Sequence, residues 1–290
     1  MSCEVKIIAD SVSQAGHRIT TFELYYGRAF HAELLTHRAF SRNSSSSRAI
    51  PWQVMRQAVI DDPWIPLAFG RAKSGMQMGM AEPTRQADCI REWLCACDAA
   101  IYRADQLASI GVHKSIVNRL IEPFAHIKTV VTATSFDNWF ALRCDPGALP
   151  DIQQLAVKML RAYVESVPVG RHAGDWHLPY VSNAEREPLP IEDAIKTSVA
   201  RCARTSYRLH DGKPTTLKED ITLHDNLVMS HPVHASPAEH QAVPIVYGIN
   251  DRSGNFYGWR QHRKTLKGEC VSKADIAGIL AKYEGVDYIL

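Results

Sequence analysis

The sequence predicts a mixed α and β fold, and three observations carry that reading. The stretch ITTFELYY, Ile19 to Tyr26, alternates with the period of two that a half-buried strand requires. Apolar residues at Ile90, Trp93, Leu94, Cys97, Ile101 and Ala104, and again at Ile152, Leu155, Ala156, Met159, Leu160 and Tyr163, recur at helical spacing and mark two long amphipathic helices. Strands and helices intermix without the steady alternation of a parallel α/β sheet, and no glycine fingerprint for a dinucleotide opens a helix.

The remaining elements follow in chain order. The start, MSCEVKIIADS, carries an acidic residue and one short apolar run, so it reads as a first strand and not as a secretory signal. Ala29 to Phe40 reads as helical, and the polar run SRNSSSSR follows it as an irregular loop. From Pro51 to Pro83 a helix and then a loop containing GMQMGM are expected. KTVVTATSF reads as a buried strand running into a short helix that ends near Arg143. The segment from Val169 to Pro190, rich in Gly, Pro and polar residues, is the best candidate boundary between a part over residues 1–168 and a part over residues 191–290. A helix from near Ile191 runs into ARTSY, another spans Leu217 to Met229, AVPIVYGI reads as a strand, and Ser272 to Tyr283 as a last helix.

A chain of 290 residues with 46% hydrophobic and 22% charged residues fits a globular protein with one or two cores and no fibrous or disordered class. Lys and Arg total 33 against 31 for Asp and Glu, which gives no footprint for nucleic acid and leaves room for a single small anion. No apolar run approaches the roughly 18 residues of a membrane helix. A cytoplasmic protein is therefore expected, with its seven cysteines reduced. Cys95 and Cys97 fall on different faces of a helix and the histidines lack ligand spacing, so no metal is expected.

The segment THRAFSRNSSSSR, Thr36 to Arg48, concentrates Arg38, Arg42 and Arg48 around His37, Asn43 and five serines. Guanidinium forks, hydroxyls and backbone N–H groups in an irregular loop are what a phosphate monoester needs, although composition alone also fits a solvated serine-rich loop. His37, Arg38, seven intervening residues, Ser46 and then Arg48, with Asn43 five after Arg38, keep the spacing of a known signature. The chain thereby resembles the flavin-dependent thymidylate synthases, whose motif has a further Arg where this sequence has Thr36. VNRLIEPF and TATSFDNWFALR resemble the family's downstream region, placing Arg119, Asn138 and Arg143 on its nucleotide and flavin positions. ARTSY (Ala203 to Tyr207) and HASPAEH (His234 to His240) resemble segments that open family members yet lie here near the C-terminal end, as in a circularly rearranged relative. GWRQHRK, Gly258 to Lys264, faintly echoes the signature.

The resemblance implies a central sheet flanked by helices, with both parts forming one integrated catalytic unit that assembles as a homotetramer. It implies C5 methylation of a pyrimidine deoxynucleotide monophosphate, dUMP first, with FAD as cofactor and methylenetetrahydrofolate and NADPH as co-substrates. Catalytic roles fall to Arg143, His37 and Arg38. Nucleotide contacts fall to Glu33, Ser44, Ser46, Ser47, Arg48, Arg119 and Arg143, and cofactor contacts to His37, Arg38, Asn43, Asn138, Ser206, His234, Glu239 and His240. His37 could instead be a satisfied structural histidine, and Arg143 a helix-end arginine favouring the helix dipole. Glu33 stands where the family has Gln, and a carboxylate there could accept from the amino group of a cytosine. That keeps dCMP, or a 5-hydroxymethyl product, open, as does a non-catalytic nucleotide-binding protein. The family's Asn-x-Arg flavin contact reads Thr132, Ala133, Thr134, so the flavin contacts differ here.

Overall fold

The alternation of Ile19 to Tyr26 becomes the second strand of an antiparallel hairpin, β1 (Glu4–Ser13) and β2 (Arg18–Gly27), closed where Gly16 takes a φ of 85°. The computed structural model describes residues 3–79, 85–207, 215–228, 230, 233–245 and 251–270, with 276 and 278. After the hairpin come α1 (His31–Leu35), β3 (Ser41–Ser44), α2 (Trp52–Asp61), α3 (Gln86–Ser109) and α4 (Lys114–Val117). Next are β4 (His126–Ala133), α5 (Asp137–Arg143), α6 (Pro150–Glu165), β5 (Val169–Arg171), α7 (Asn183–Arg186) and α8 (Ile191–Tyr207). α9 (Leu217–Val228) precedes four short strands, β6 (Ala242–Pro244), β7 (Arg252–Ser253), β8 (Phe256–Tyr257) and β9 (Trp259–Gln261).

Five strands form the central sheet in the order β3-β4-β2-β1-β5, antiparallel except for the β1/β5 pair. Because side chains alternate along a strand, the two faces of this sheet have opposite character. One face presents Phe22, Leu24, Tyr26, Ile127, Val131 and Ala133, packed on Trp139 of α5 and on Ile152, Leu155, Ala156 and Met159 of α6. Each such large side chain, fully buried, contributes about 1.5–3 kcal/mol. The other face carries a polar row: Ser41, Thr132 and Thr21 stand opposite one another across β3, β4 and β2, all buried. The C-terminal part covers that row.

Three smaller cores are found among the described residues, one of them joining Ile19 of β2 to Ala242, Phe256 and Trp259. Trp52, Met55 and Val59 of α2 pack with Cys97, Ile101 and Ala104 of α3 and with Val117, Ile121 and Phe124. α8 buries Ala194, Ile195 and Val199 against Leu178 and Ala238. Asp220, fully buried on α9, accepts from Arg201 Nε and Arg204 Nε, both at 3.0 Å, and from Thr215 Oγ1 at 2.9 Å, which clamps α9 to α8. A Cβ on Gly27 would come 2.2 Å from the Trp64 indole, so only glycine admits that ring beside β2.

Two expectations change, and others reach beyond the described residues. The helix over Ala29 to Phe40 shrinks to α1, because the chain must turn back before entering β3, and Arg42 Nη1 caps the released carbonyls of Leu35 (2.7 Å) and His37 (3.3 Å). The serine run is not all irregular loop: Ser41–Ser44 form the edge strand, supplying the partners that β4's backbone groups require. The Gly- and Pro-rich stretch after residue 168 contributes β5 to the same sheet. In AVPIVYGI the described strand is Ala242–Pro244, and residues 246–249 lie outside the described residues, as does nearly all of the helix expected over Ser272 to Tyr283. No described helix is long and apolar enough to cross a membrane.

Burial holds His177 and His240 neutral, at about 3 against the ordinary 6.5, and His31 and His262 at about 4. Above pH 6.5 neither the folded nor the unfolded rings are charged and nothing is lost. As pH falls from 6.5 toward 3, the unfolded chain binds protons that the folded rings refuse. For His177 and His240 each pH unit in that window removes up to about 1.4 kcal/mol per ring. The urea midpoint should therefore drop steadily between pH 6.5 and 4.5; a flat midpoint there would show that these rings are not buried and neutral.

Candidate active site

α5 is held in place by Trp139, which is buried against the sheet, and its last residue is Arg143. From that end the guanidinium reaches back to the turn after α1. Arg143 Nε donates to His37 Nε2 at 3.1 Å, Nη1 to Glu33 Oε2 at 3.0 Å, and Nη2 to Thr36 Oγ1 at 3.5 Å. His37 is buried, edge-on to Trp139 with ring centroids 4.8 Å apart. Burial first, then Arg143 and Arg42, lowers its pKa, so the ring is neutral. Since Arg143 can only donate, His37 Nε2 accepts and the ring proton sits on Nδ1. The result is a guanidinium fixed by a carboxylate and an imidazole, 21% exposed and able to offer its remaining N–H groups to a polarised oxygen.

The serine segment is bound tightly from beneath. Thr129 Oγ1 donates to Ser44 Oγ at 3.0 Å, the Lys128 N–H donates to Ser45 Oγ at 3.2 Å, and the Asn118 side chain donates to the carbonyls of Ser47 (2.7 Å) and Ile50 (3.0 Å). Ser47 Oγ donates to Glu122, which also pairs with Arg28 at 3.3 Å and Arg119 at 3.5 Å. Arg28 in turn donates to the Ser45 carbonyl at 3.2 Å. Ser46 lies in the turn after β3, where its carbonyl accepts from Ala49 N. Arg38, Arg48 and Arg119 are exposed around this loop, a rim of cations over a braced backbone.

β3 divides the signature between the two faces of the sheet. Arg42 and Ser44 share the face of the Arg143 cluster, while Ser41 and Asn43 point to the C-terminal part, alternating as strand residues must. Asn43 Nδ2 donates to the Cys202 carbonyl at 3.4 Å and lines a cavity of about 280 Å³ with His234, Ser236 and Arg263. Glu239 pairs with Arg263, which comes from the GWRQHRK segment, and His240 is wholly buried with Nδ1 2.8 Å from Thr132 Oγ1. Thr134 Oγ1 accepts from Tyr257 N at 3.0 Å. Thr132 and Thr134 are thus engaged by the chain's own C-terminal segment.

The structure therefore brings Glu33, Thr36, His37 and Arg143 together, gathers Ser47 and Arg119 about Glu122, and groups Asn43, His234 and Glu239 around Arg263. Asn138 is exposed on α5, Ser206 falls near the end of α8, and its side chain lies outside the described residues. Sequence reasoning missed Arg28, Asn118, Glu122, His177 and Arg263. Their signal was weak: Glu122 sits inside VNRLIEPF, but nothing in its spacing announces a serine 75 residues away.

This is the architecture of a thymidylate synthase-like methyltransferase. Residues 10–169, more than half of the chain, match the model of the thymidylate synthase complementing protein family, and the chain belongs to that family. ARTSY and HASPAEH lie outside the matched span. Solved structures of a UMP/dUMP methylase PolB from Streptomyces cacaoi, bound with 5-Br dUMP and with 5-Br UMP, are similar at 16% identity and a TM-score of 0.45. The match covers 57% of this chain and 91% and 90% of those chains. No curated protein matches the sequence significantly.

Replacing Arg143 by Gln removes one of the charges that depress His37. The His37 pKa, followed by NMR titration, should move up toward 6.5 without reaching it, since burial remains the larger cause. An unchanged value would show that the two side chains do not meet.

Proposed function

We propose that the protein transfers a one-carbon unit to C5 of a pyrimidine deoxynucleotide monophosphate, converting dUMP to dTMP with methylenetetrahydrofolate and NADPH as co-substrates and FAD as cofactor. The observation that supports this best is the Arg143 cluster. C5 becomes nucleophilic only as charge develops on the ring carbonyl, and a guanidinium held by Glu33 and His37 stabilises that charge without reorganising. Arg48, Arg119 and the serines Ser44, Ser46 and Ser47 would grip the phosphate, and Arg38 with His37 would stand between nucleotide and cofactor. Among the described cysteines, Cys144 follows Arg143 directly, yet burial pushes its thiol up, as it does for Cys3, Cys97 and Cys202. None of these four supplies the thiolate that C6 addition needs.

When bound, FAD supplies the reducing equivalents for the transferred carbon. The cavity beside β3 joins amide, imidazole, hydroxyl and guanidinium donors that suit one polar portion of such a group, which Asn43, His234 and Ser236 would hold with Glu239 steadying Arg263. Asn138, Ser206 and His240 are assigned supporting contacts. The part over residues 191–290 is read as the family's opening segments in circularly reordered position, completing one catalytic unit with residues 1–168. A homotetramer fits the exposure of Arg38, Arg48 and Asn138, which partner subunits would cover.

Glu33 favours a second reading. A carboxylate beside Arg143 accepts from the exocyclic amino group of cytosine, so dCMP is the competing substrate. Incubation with FAD, NADPH, methylenetetrahydrofolate and either dUMP or dCMP, followed by mass analysis, separates the two. A one-carbon gain on dUMP supports the first reading and on dCMP the second; a gain on neither leaves a nucleotide-binding protein without turnover. Arg143→Ala should abolish turnover in a folded protein. Arg48→Ala should weaken nucleotide binding by about 1.5–3 kcal/mol and leave kcat largely intact. Wild-type rates in both variants would refute the assigned site.

A further inference from the structure

Six side chains, from β5 to the turn after α9, lie in hydrogen-bond contact in an unbroken line. Arg171 Nε donates to Ser11 Oγ at 3.4 Å, Ser11 Oγ is 2.9 Å from His177 Nδ1, and His177 Nε2 is 2.8 Å from Thr21 Oγ1. Thr21 Oγ1 is 2.7 Å from Thr132 Oγ1, which is 2.8 Å from His240 Nδ1. Ser11, His177, Thr21, Thr132 and His240 are all buried. His240 Nε2, also buried, has no hydrogen-bond partner among the described residues.

A neutral imidazole donates through one nitrogen and accepts through the other, and each hydroxyl has one proton to give. The line can therefore run in one of two directions. Running from His240 toward Ser11, it would put two donors on Ser11, His177 and Arg171, and leave the Ser11 proton with no acceptor among the described residues. His240 Nε2 would be unmatched as well. Running from Arg171 toward His240, every proton finds an acceptor except the last, on His240 Nε2. Because an unmatched buried polar group is costly, the guanidinium at one end selects the direction.

We infer that Arg171, Ser11, His177, Thr21, Thr132 and His240 form one directional hydrogen-bond relay, which holds His177 and His240 in the same tautomer, protonated on Nε2, and positions the segment carrying His234 and Glu239 on the sheet. Arg171 and Thr21 are positioning residues, since their side chains reach that segment only through the relay, whereas His177 also pairs its backbone with Ala242 at 2.8 and 3.3 Å. Burial keeps both rings neutral, as a relay of this kind requires. The link to cofactor binding rests on the functional reading above; the relay itself does not.

The test uses the full chain labelled with 15N-histidine, with His177 and His240 assigned through single His→Gln variants. Long-range 1H–15N spectra at neutral pH should show both rings neutral and protonated on Nε2. In Arg171→Met both rings should lose that uniform state together, although Arg171 touches neither. Arg171→Lys, which keeps a donor, should retain it, and Thr21→Val should confine the effect of Arg171→Met to His177. Opposite tautomers in the wild-type protein, a protonated ring, or a His240 signal untouched by Arg171→Met would each overturn the relay. Absence of flavin absorbance after reconstitution would instead count against the functional reading, leaving the tautomer result to decide the relay.

Discussion

The structure depends on a sheet whose two faces want different solvents. Phe22, Leu24, Tyr26 and Val131 demand an apolar cover and receive it from α5 and α6. Ser41, Thr132 and Thr21, on the reverse side of the same three strands, cannot be covered by hydrocarbon without leaving hydroxyls unmatched. Gln261 meets Ser41 at 3.1 Å, His240 meets Thr132 and His177 meets Thr21, so the C-terminal part docks by polar complementarity. An apolar replacement at any of these rows would strand its partner. Ile19, on the face of Thr21, adds apolar contact with Ala242, Phe256 and Trp259, so hydrogen bonds and packing together set the register of the C-terminal part on the sheet.

That same division places the candidate site. A signature carried on an edge strand delivers alternate residues to opposite sides, so Arg42 braces the turn that holds His37 while Asn43 lines the cavity near His234. The Arg143 cluster and the cavity beside His234 thus lie on opposite sides of β3, an edge strand of the sheet. Convergence of the two distant stretches of sequence is a consequence of docking on the polar row.

The long periodic elements were legible because burial of one face imposes a period that few other constraints imitate. α3, α6 and β2 fall where Ile90 to Ala104, Ile152 to Tyr163 and Ile19 to Tyr26 place them. Short elements were not, since α1 is set by the return of the chain and by Arg42, not by its own pattern. In the site, Glu33, His37 and Arg143 could be nominated from motif spacing, but the bonds among them span more than 100 residues and leave no local trace. Polar residues inside apolar strands, such as Thr21 and Thr132, were the one readable hint that something polar must cover them.

Glu122 gives the serine loop a resident anion. Its carboxylate already holds Ser47, Arg28 and Arg119, so these donors are satisfied before any ligand arrives. An incoming group that seeks the same donors competes with a tethered rival and wins only by bringing more negative charge than one carboxylate carries. A phosphate monoester, near two charges at neutral pH, meets that condition; an uncharged nucleoside does not. Selection for the phosphorylated ligand would then come from exchange of one anion for a stronger one.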